Sequence, residues 1–283
     1  MEKSKQKQLK ITACKVRMGI VEGVHAARSG HPGGSLSIAE VLTYLYFNKM
    51  NIDPQNPKLA TRDRFVLSKG HAAPAWYSVL AHRGYFDVEL LKTLRHTGSI
   101  LQGHPDMKHI PGVDMSSGSL GQGISTAVGM ALSSKHFNGG FRVYTVVGDG
   151  ESEEGQVWEA AMFAAAKKLS NLTAFFDVNG LQIDGTVEEV NSPLPLDEKL
   201  AAFGWNVITI DGHDFEQIEQ AVTAAESVQD RPTAIIMKTV KGKGVSFMEN
   251  QVGWHGSAPN DEQYAVAMQE LSEQLAALEA EEA

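Results

Sequence analysis

An aspartate set between two glycines, Gly148-Asp149-Gly150, and an asparagine, Asn179, are the side chains of this chain best suited to hold a metal. Carboxylate and amide oxygens are hard ligands, which suit Mg²⁺, Ca²⁺ or Mn²⁺ carrying a phosphate-bearing group. The flanking glycines let backbone amides come close to an anion. On spacing alone the same residues also fit a capped helix followed by an Asx turn. Four histidines stand in glycine-rich turns: His31 in Gly-His-Pro-Gly, His71 in Lys-Gly-His-Ala, His104 in Gly-His-Pro-Asp and His255 in Trp-His-Gly. They lack the H-x-H or H-x-x-E-H spacing of a metal site, so their expected use is to converge on a polar substrate, donate hydrogen bonds and exchange protons. The other six read as ordinary helix or surface positions, a description that His213, in Asp-Gly-His-Asp, fits least well.

The elements around Asp149 and Asn179 should place them together. Residues 141–147 and 172–178 read as strands, and the alanine-rich stretch 153–168 between them, acidic at its start and basic at its end, reads as a helix. That is a βαβ unit, whose parallel strands put both residues at the carboxyl edge of a sheet, where α/β proteins bind ligands. Helices are expected at 5–29, 37–48, 74–84, 87–97, 121–137, 214–228 and 261–283, and further strands at 64–67, 206–210 and 233–239. Residues 98–118 and 180–195 read as loops. The first, polar and punctuated by Gly and Pro, is long enough to suggest a working loop. With no repeat, low-complexity tract or linker, the expectation is a single α/β domain over 1–283: a mostly parallel sheet with helices on both faces and a C-terminal helix near 261–282.

Composition narrows the class. A net charge of −9 argues against nucleic acid as a partner, which would need a basic face. No apolar run is long enough to span a bilayer, and no apolar segment follows the early lysines, so no membrane association and a cytoplasmic location are expected. The one cysteine, Cys14, lies on an amphipathic stretch and reads as a packed thiol rather than a nucleophile. No P-loop is present: the lysines of Lys241-Gly-Lys-Gly are in the wrong frame. The close glycines of Gly118-Ser-Leu-Gly121-Gln-Gly123 follow a loop rather than a strand, so they are no dinucleotide fingerprint.

Seven motifs in order carry a resemblance. They are Ser-Gly-His-Pro-Gly-Gly-Ser at 29–35, Leu-Ser-Lys-Gly-His-Ala at 67–72, Gly-His-Pro at 103–105 and Ser-Gly-Ser-Leu-Gly-Gln-Gly at 117–123. Gly-Asp-Gly with Glu153-Glu154-Gly155, Asp-Val-Asn-Gly-Leu-Gln-Ile-Asp-Gly at 177–185 and Lys-Gly-Lys-Gly-Val at 241–245 complete the set. Together they resemble transketolase over its amino-terminal part, the domain that binds the pyrophosphate of thiamine diphosphate. The match is best to the separate N-terminal subunit of a split transketolase. Deoxyxylulose-phosphate synthase, the alpha subunit of 2-oxo acid dehydrogenases and a non-catalytic thiamine diphosphate-binding protein are the alternatives. The Gly-His-Pro-Gly and Ser-Lys-Gly-His pair and the retained histidines weigh against them.

The resemblance implies a thiamine diphosphate-binding fold of the pyrophosphate-domain type and the transfer of a two-carbon ketol unit from a ketose or its phosphate to an aldose, as in pentose phosphate metabolism. It implies that Asp149, the Asn179 side chain and the Leu181 carbonyl bind the metal, and that His71, Gly118, Ser119, Leu120, Gly150, Ile183 and His255 contact the cofactor. By the same likeness His31 and His104 meet substrate hydroxyls, and Glu154 reaches across a subunit interface to a glutamate of the partner. Val178 and Ser119 depart from the family's usual residues without removing a ligand. The pyrimidine-binding domain, which in this family supplies the glutamate that activates the cofactor, finds no counterpart in residues 261–283. The expected partner is therefore a C-terminal transketolase subunit, in a heterotetramer of two plus two, without which the chain is inactive on sugar phosphates.

Overall fold

A computed structural model of the chain describes residues 1–281, so the last two residues of the expected C-terminal helix lie outside it. Five strands form one sheet: β1 (Arg64–Leu67), β2 (Val143–Gly148), β3 (Leu172–Val178), β6 (Asn206–Asp211) and β7 (Thr233–Lys238). All are parallel, in the order β1-β2-β3-β7-β6. A two-stranded hairpin, β4 (Leu181–Gln182) and β5 (Gly185–Thr186), stands apart from it.

Helices cover both faces, which is why β2 and β3 read as nearly unbroken apolar runs. On one face Tyr144, Val146, Phe175, Ile235 and Met237 meet α1 (Lys3–Ala27), α3 (Ala39–Tyr44), α4 (Ala73–Arg83) and α9 (Phe215–Ser227). On the other Val143, Val147, Ala174, Phe176, Ala234 and Ile236 meet α5 (Gln122–His136), α6 (Gly155–Ala166) and α8 (Leu196–Ala202). The alternation follows the two-residue period of a strand. Each wholly buried side chain such as Phe175 or Phe176 contributes about 2 kcal/mol. The last helix, α10 (Asp261–Ala280), starts at a capping box of Asn260 and Gln263 and lies against α1. No helix among the described residues is long and apolar enough to cross a membrane.

Four segments differ from expectation. In place of a helix over 37–48 there are α2 (Pro32–Leu36), a break, α3, and a wider turn over Leu45–Lys49. The break falls at Ser37, whose hydroxyl donates to Asp177 at 2.7 Å. Residues 87–97 form only a tight 3₁₀ turn, Val88–Thr93, capped by Asp87 and followed by Arg95 at φ +60°. The loop at 180–195 holds the β4–β5 hairpin and α7 (Val187–Asn191), capped by the Thr186 hydroxyl. Helix α8 follows it directly, in a stretch without an expected element.

Candidate functional site

Register builds the centre of the site. Gly148 lies opposite Asp177 across the β2–β3 ladder, and the Asp149 amide donates to the Asp177 carbonyl at 3.2 Å. The chain leaves both strands at this level, so Asp149 and Asn179 emerge side by side at the carboxyl edge. Asp149 is buried, its Oδ1 accepting from the Gly150 amide at 2.9 Å and its Oδ2 from the Gly180 amide at 2.6 Å. Burial first, and the nearby Asp177 charge second, push its carboxyl above the ordinary range. A cation at this point would reverse both effects.

Asp177 is itself buried and fully satisfied. It accepts from Lys69 Nζ at 2.5 Å, Ser37 Oγ at 2.7 Å, Thr239 Oγ1 at 2.5 Å and Asn179 Nδ2 at 3.0 Å. The last bond turns the Asn179 amide so that Oδ1 faces away from Asp177, where it accepts from the Leu181 amide at 3.2 Å and keeps a second lone pair. Despite the desolvation of a buried charge, Lys69 and the hydroxyls hold the Asp177 carboxyl below its usual range.

The third candidate oxygen, the Leu181 carbonyl, accepts from Lys241 Nζ at 2.8 Å. Lys241 is buried, and its ammonium also lies 3.0 Å from His255 Nδ1. Desolvation first, then repulsion from Lys69, lowers the Lys241 pKa. An ammonium can only donate, so His255 Nδ1 is the acceptor and its proton sits on Nε2.

Three imidazoles form a triangle beside these oxygens: ring centres lie 5.2 Å apart for His31 and His71, 5.5 Å for His31 and His255, and 5.2 Å for His71 and His255. Burial, reinforced by Arg95, lowers His31 to about 4, and burial with Lys241 lowers His255 to about 3. His71 lies well below its ordinary value, through burial and then Lys69. All three are therefore neutral near pH 7, able to accept as well as donate. His31 Nδ1 is buried without a protein partner.

These groups share a cavity of about 270 Å³. Its lining includes ten of the residues singled out by sequence: His31, His71, Gly118, Leu120, Asp149, Gly150, Asn179, Leu181, Ile183 and His255. Three others lie outside the lining. Ser119 and Glu154 are exposed, Glu154 at the start of α6 where its Cβ faces Gly121. His104 is also exposed, its ring so near Gly118 (φ +153°) that a Cβ there would lie 3.1 Å from it.

Sequence reasoning assigned no role to Lys69, Glu151, Asp177 or Lys241, which also line the cavity. Glu151 is buried and accepts from Ser68 Oγ at 2.6 Å and from the Gly121 and Gly148 amides at 2.9 Å, tying three loops together. Its signal was present, since Glu151 follows Gly150 directly, but a glutamate at a helix start reads as an exposed dipole partner. Among the described residues no group of three or more His, Cys, Asp or Glu could hold a metal. The set here has one carboxylate, one amide and one main-chain carbonyl, and so escapes that pattern.

The chain is similar to known proteins in sequence and in fold. The profile of the family described as transketolase, thiamine diphosphate binding domain, matches residues 8–276. The 6-deoxy-6-sulfo-D-fructose transketolase subunit SqwG of Clostridium sp. (strain MSTE9) is 49% identical over 92% of this chain and 94% of its own. An apulose-4-phosphate transketolase subunit of Phocaeicola vulgatus is 43% identical over 96% of this chain and 97% of its own. The crystal structure of transketolase from Campylobacter jejuni superposes with a TM-score of 0.87 at 33% identity, over 93% of this chain but 42% of that one. The family match over nearly the whole chain and the identity to these relatives show that the chain belongs to the transketolase family and comprises its thiamine diphosphate-binding, amino-terminal part.

Proposed function

We propose that this chain is the N-terminal subunit of a two-subunit transketolase and works as a single pyrophosphate-type domain. The observation that carries this reading is the convergence of Asp149, Asn179 Oδ1 and the Leu181 carbonyl with three neutral histidines in one cavity. The oxygens fit a hard divalent cation such as Mg²⁺, and the raised carboxyl of Asp149 marks a place short of positive charge. Asp149, Asn179 and Leu181 would hold the metal. Gly150, at a helical turn's start, and Lys241 would face the diphosphate. Thiamine diphosphate, when bound, supplies the electron sink for cleaving and forming a carbon–carbon bond next to a carbonyl.

The chain's own residues orient the sugar and handle protons. His255 presents Nε2–H toward the cavity, and His31, with Nδ1 unpartnered, can exchange a proton with a hydroxyl. His71, in the cavity lining, would lie against the cofactor. The exposed His104 and Ser119 would meet substrate and cofactor, and the exposed Glu154 would reach a partner subunit. Relatives matched over nearly their full length are named as subunits, which supports a partner subunit. In our reading that partner is the C-terminal transketolase subunit, in an assembly of two plus two. The sugars in their names, a sulfonated fructose and apulose 4-phosphate, favour a ketose with an anionic tail over a role limited to the central pentose phosphate route. The location that goes with this reading is the cytoplasm.

The test is to purify the chain alone and with a transketolase C-terminal subunit from the same source, then assay ketol transfer with Mg²⁺ and thiamine diphosphate. Activity is expected only in the complex. Turnover by the chain alone overturns the subunit reading, and a complex that binds no thiamine diphosphate overturns the cofactor assignment.

A further inference from the structure

His213, far along the chain from every cavity residue, is the imidazole that the site leaves unexplained. It sits between β6 and α9 with its side chain 13% exposed. Its Nδ1 lies 3.0 Å from Glu40 Oε2, and its Nε2 lies 2.9 Å from the Val240 amide. A backbone N–H can only donate, so Nε2 is an acceptor and the ring proton is on Nδ1, donated to Glu40. Glu40 is buried and pairs through Oε1 with the buried Arg17. Arg17 returns to the same loop, its Nε donating to the Lys243 carbonyl at 2.9 Å.

This buried chain thus grips residues 240–243 from both sides of Lys241. A third tie is the Gly242 amide on the Gly33 carbonyl at 3.0 Å. We propose that His213 is a positioning residue: by accepting the Val240 N–H while held by Glu40 and Arg17, it sets the backbone from which Lys241 reaches Leu181 and His255. The inference rests on the functional reading above, in which Lys241 and Leu181 lie at the diphosphate end of the cofactor site.

Side-chain geometry gives a discriminating pair of variants. Glutamine can place an oxygen where Nε2 lies and keep the Val240 bond, whereas asparagine reaches only the Nδ1 position and keeps the Glu40 bond. Amide exchange at residues 240–243 and calorimetric binding of magnesium thiamine diphosphate are measured on the full chain and on its complex with the C-terminal subunit. His213→Asn should speed exchange at Val240 and weaken cofactor binding about tenfold, the scale of one lost hydrogen bond at a buried site. His213→Gln should restore both, with thermal midpoints alike. Equal effects of the two variants, or none from His213→Asn, overturn the proposal.

If neither variant folds, nitrogen NMR of His213 in the unaltered chain decides: a neutral ring protonated on Nδ1 is expected, and an Nε2–H tautomer refutes it. An unaltered complex that fails to bind the cofactor sinks the functional reading instead, while exchange at Val240 still decides the role of His213.

Discussion

Asp177 shows how much of the site is made by residues that would ligate nothing. It is wholly buried, and its ionised form survives there because Lys69, Ser37, Thr239 and Asn179 surround it. A buried ion pair adds little net stability, but removing one partner leaves a charge with nowhere to go. Lys69→Met should therefore cost about 3–5 kcal/mol, read from the denaturant midpoint, and more than an exposed control such as Lys92→Met. A loss under about 1 kcal/mol would mean that the pair is not desolvated. Asp149 is the opposite case, a carboxyl raised by burial and by Asp177. Protonation of Asp149 competes with a metal, so Mg²⁺ affinity should rise from acid toward neutral pH, and a calorimetric profile flat between about pH 5 and 7 would contradict the assignment of Asp149 as ligand.

At the scale of elements, close approach and buried bridges set the loops. A Cβ on Gly123, in the first turn of α5, would lie 2.4 Å from Ser68 Cα, a backbone atom that cannot swing aside. Gly123→Ala should cost about 1–3 kcal/mol and pull Ser68 from Glu151, lowering the thermal midpoint and cofactor affinity together. Glu40 links α1, α3 and the β6–α9 loop, and it is held at about 2 from 4.5 because Arg17 and His213 outweigh the desolvation of its burial. A depressed carboxyl stabilises above its unfolded pKa and loses that stabilisation as pH falls through the folded one. Glu40→Gln should thus lose about 3 kcal/mol at neutral pH, and its deficit should shrink as pH drops from 4.5 toward 2. A deficit that stays undiminished as pH falls from 4.5 to 2 would exclude a charge effect.

The β2–α6–β3 unit was legible in the sequence because its apolar runs and its glycines agree on one structure. The same local signals carried Asp149 and Asn179 to the carboxyl edge of the sheet, and of the four histidines expected to converge three cluster beside them. Placement of β7 between β3 and β6 was not legible, since strand order is settled by long-range packing that no local window contains. The break at Ser37 was hidden too, for there helical periodicity yields to a hydroxyl needed by Asp177. Glu151 and Lys241 look in sequence like surface charges, and only burial shows otherwise.

For the whole molecule, the sheet leaves its cavity open at the carboxyl edge, and the rim of that opening is unusually apolar. Ile183 is 62% exposed and Leu120 37% exposed, both lining the cavity mouth, with Glu154 exposed beside Gly121. Large apolar side chains around a polar pocket are what a partner surface covers, with most of the binding energy in a few such residues. Phe137, 75% exposed at the far end of α5, offers as much apolar surface at the opposite edge of the sheet. If the C-terminal subunit closes the cavity, Ile183→Asp and Leu120→Asp should each weaken its association about 10- to 100-fold by sedimentation, while the thermal midpoint of the chain alone stays put. Phe137→Asp should leave association unchanged. The reverse pattern, with Phe137→Asp disruptive and the rim variants silent, would move the partner to the amino edge and leave the cavity to be completed in some other way.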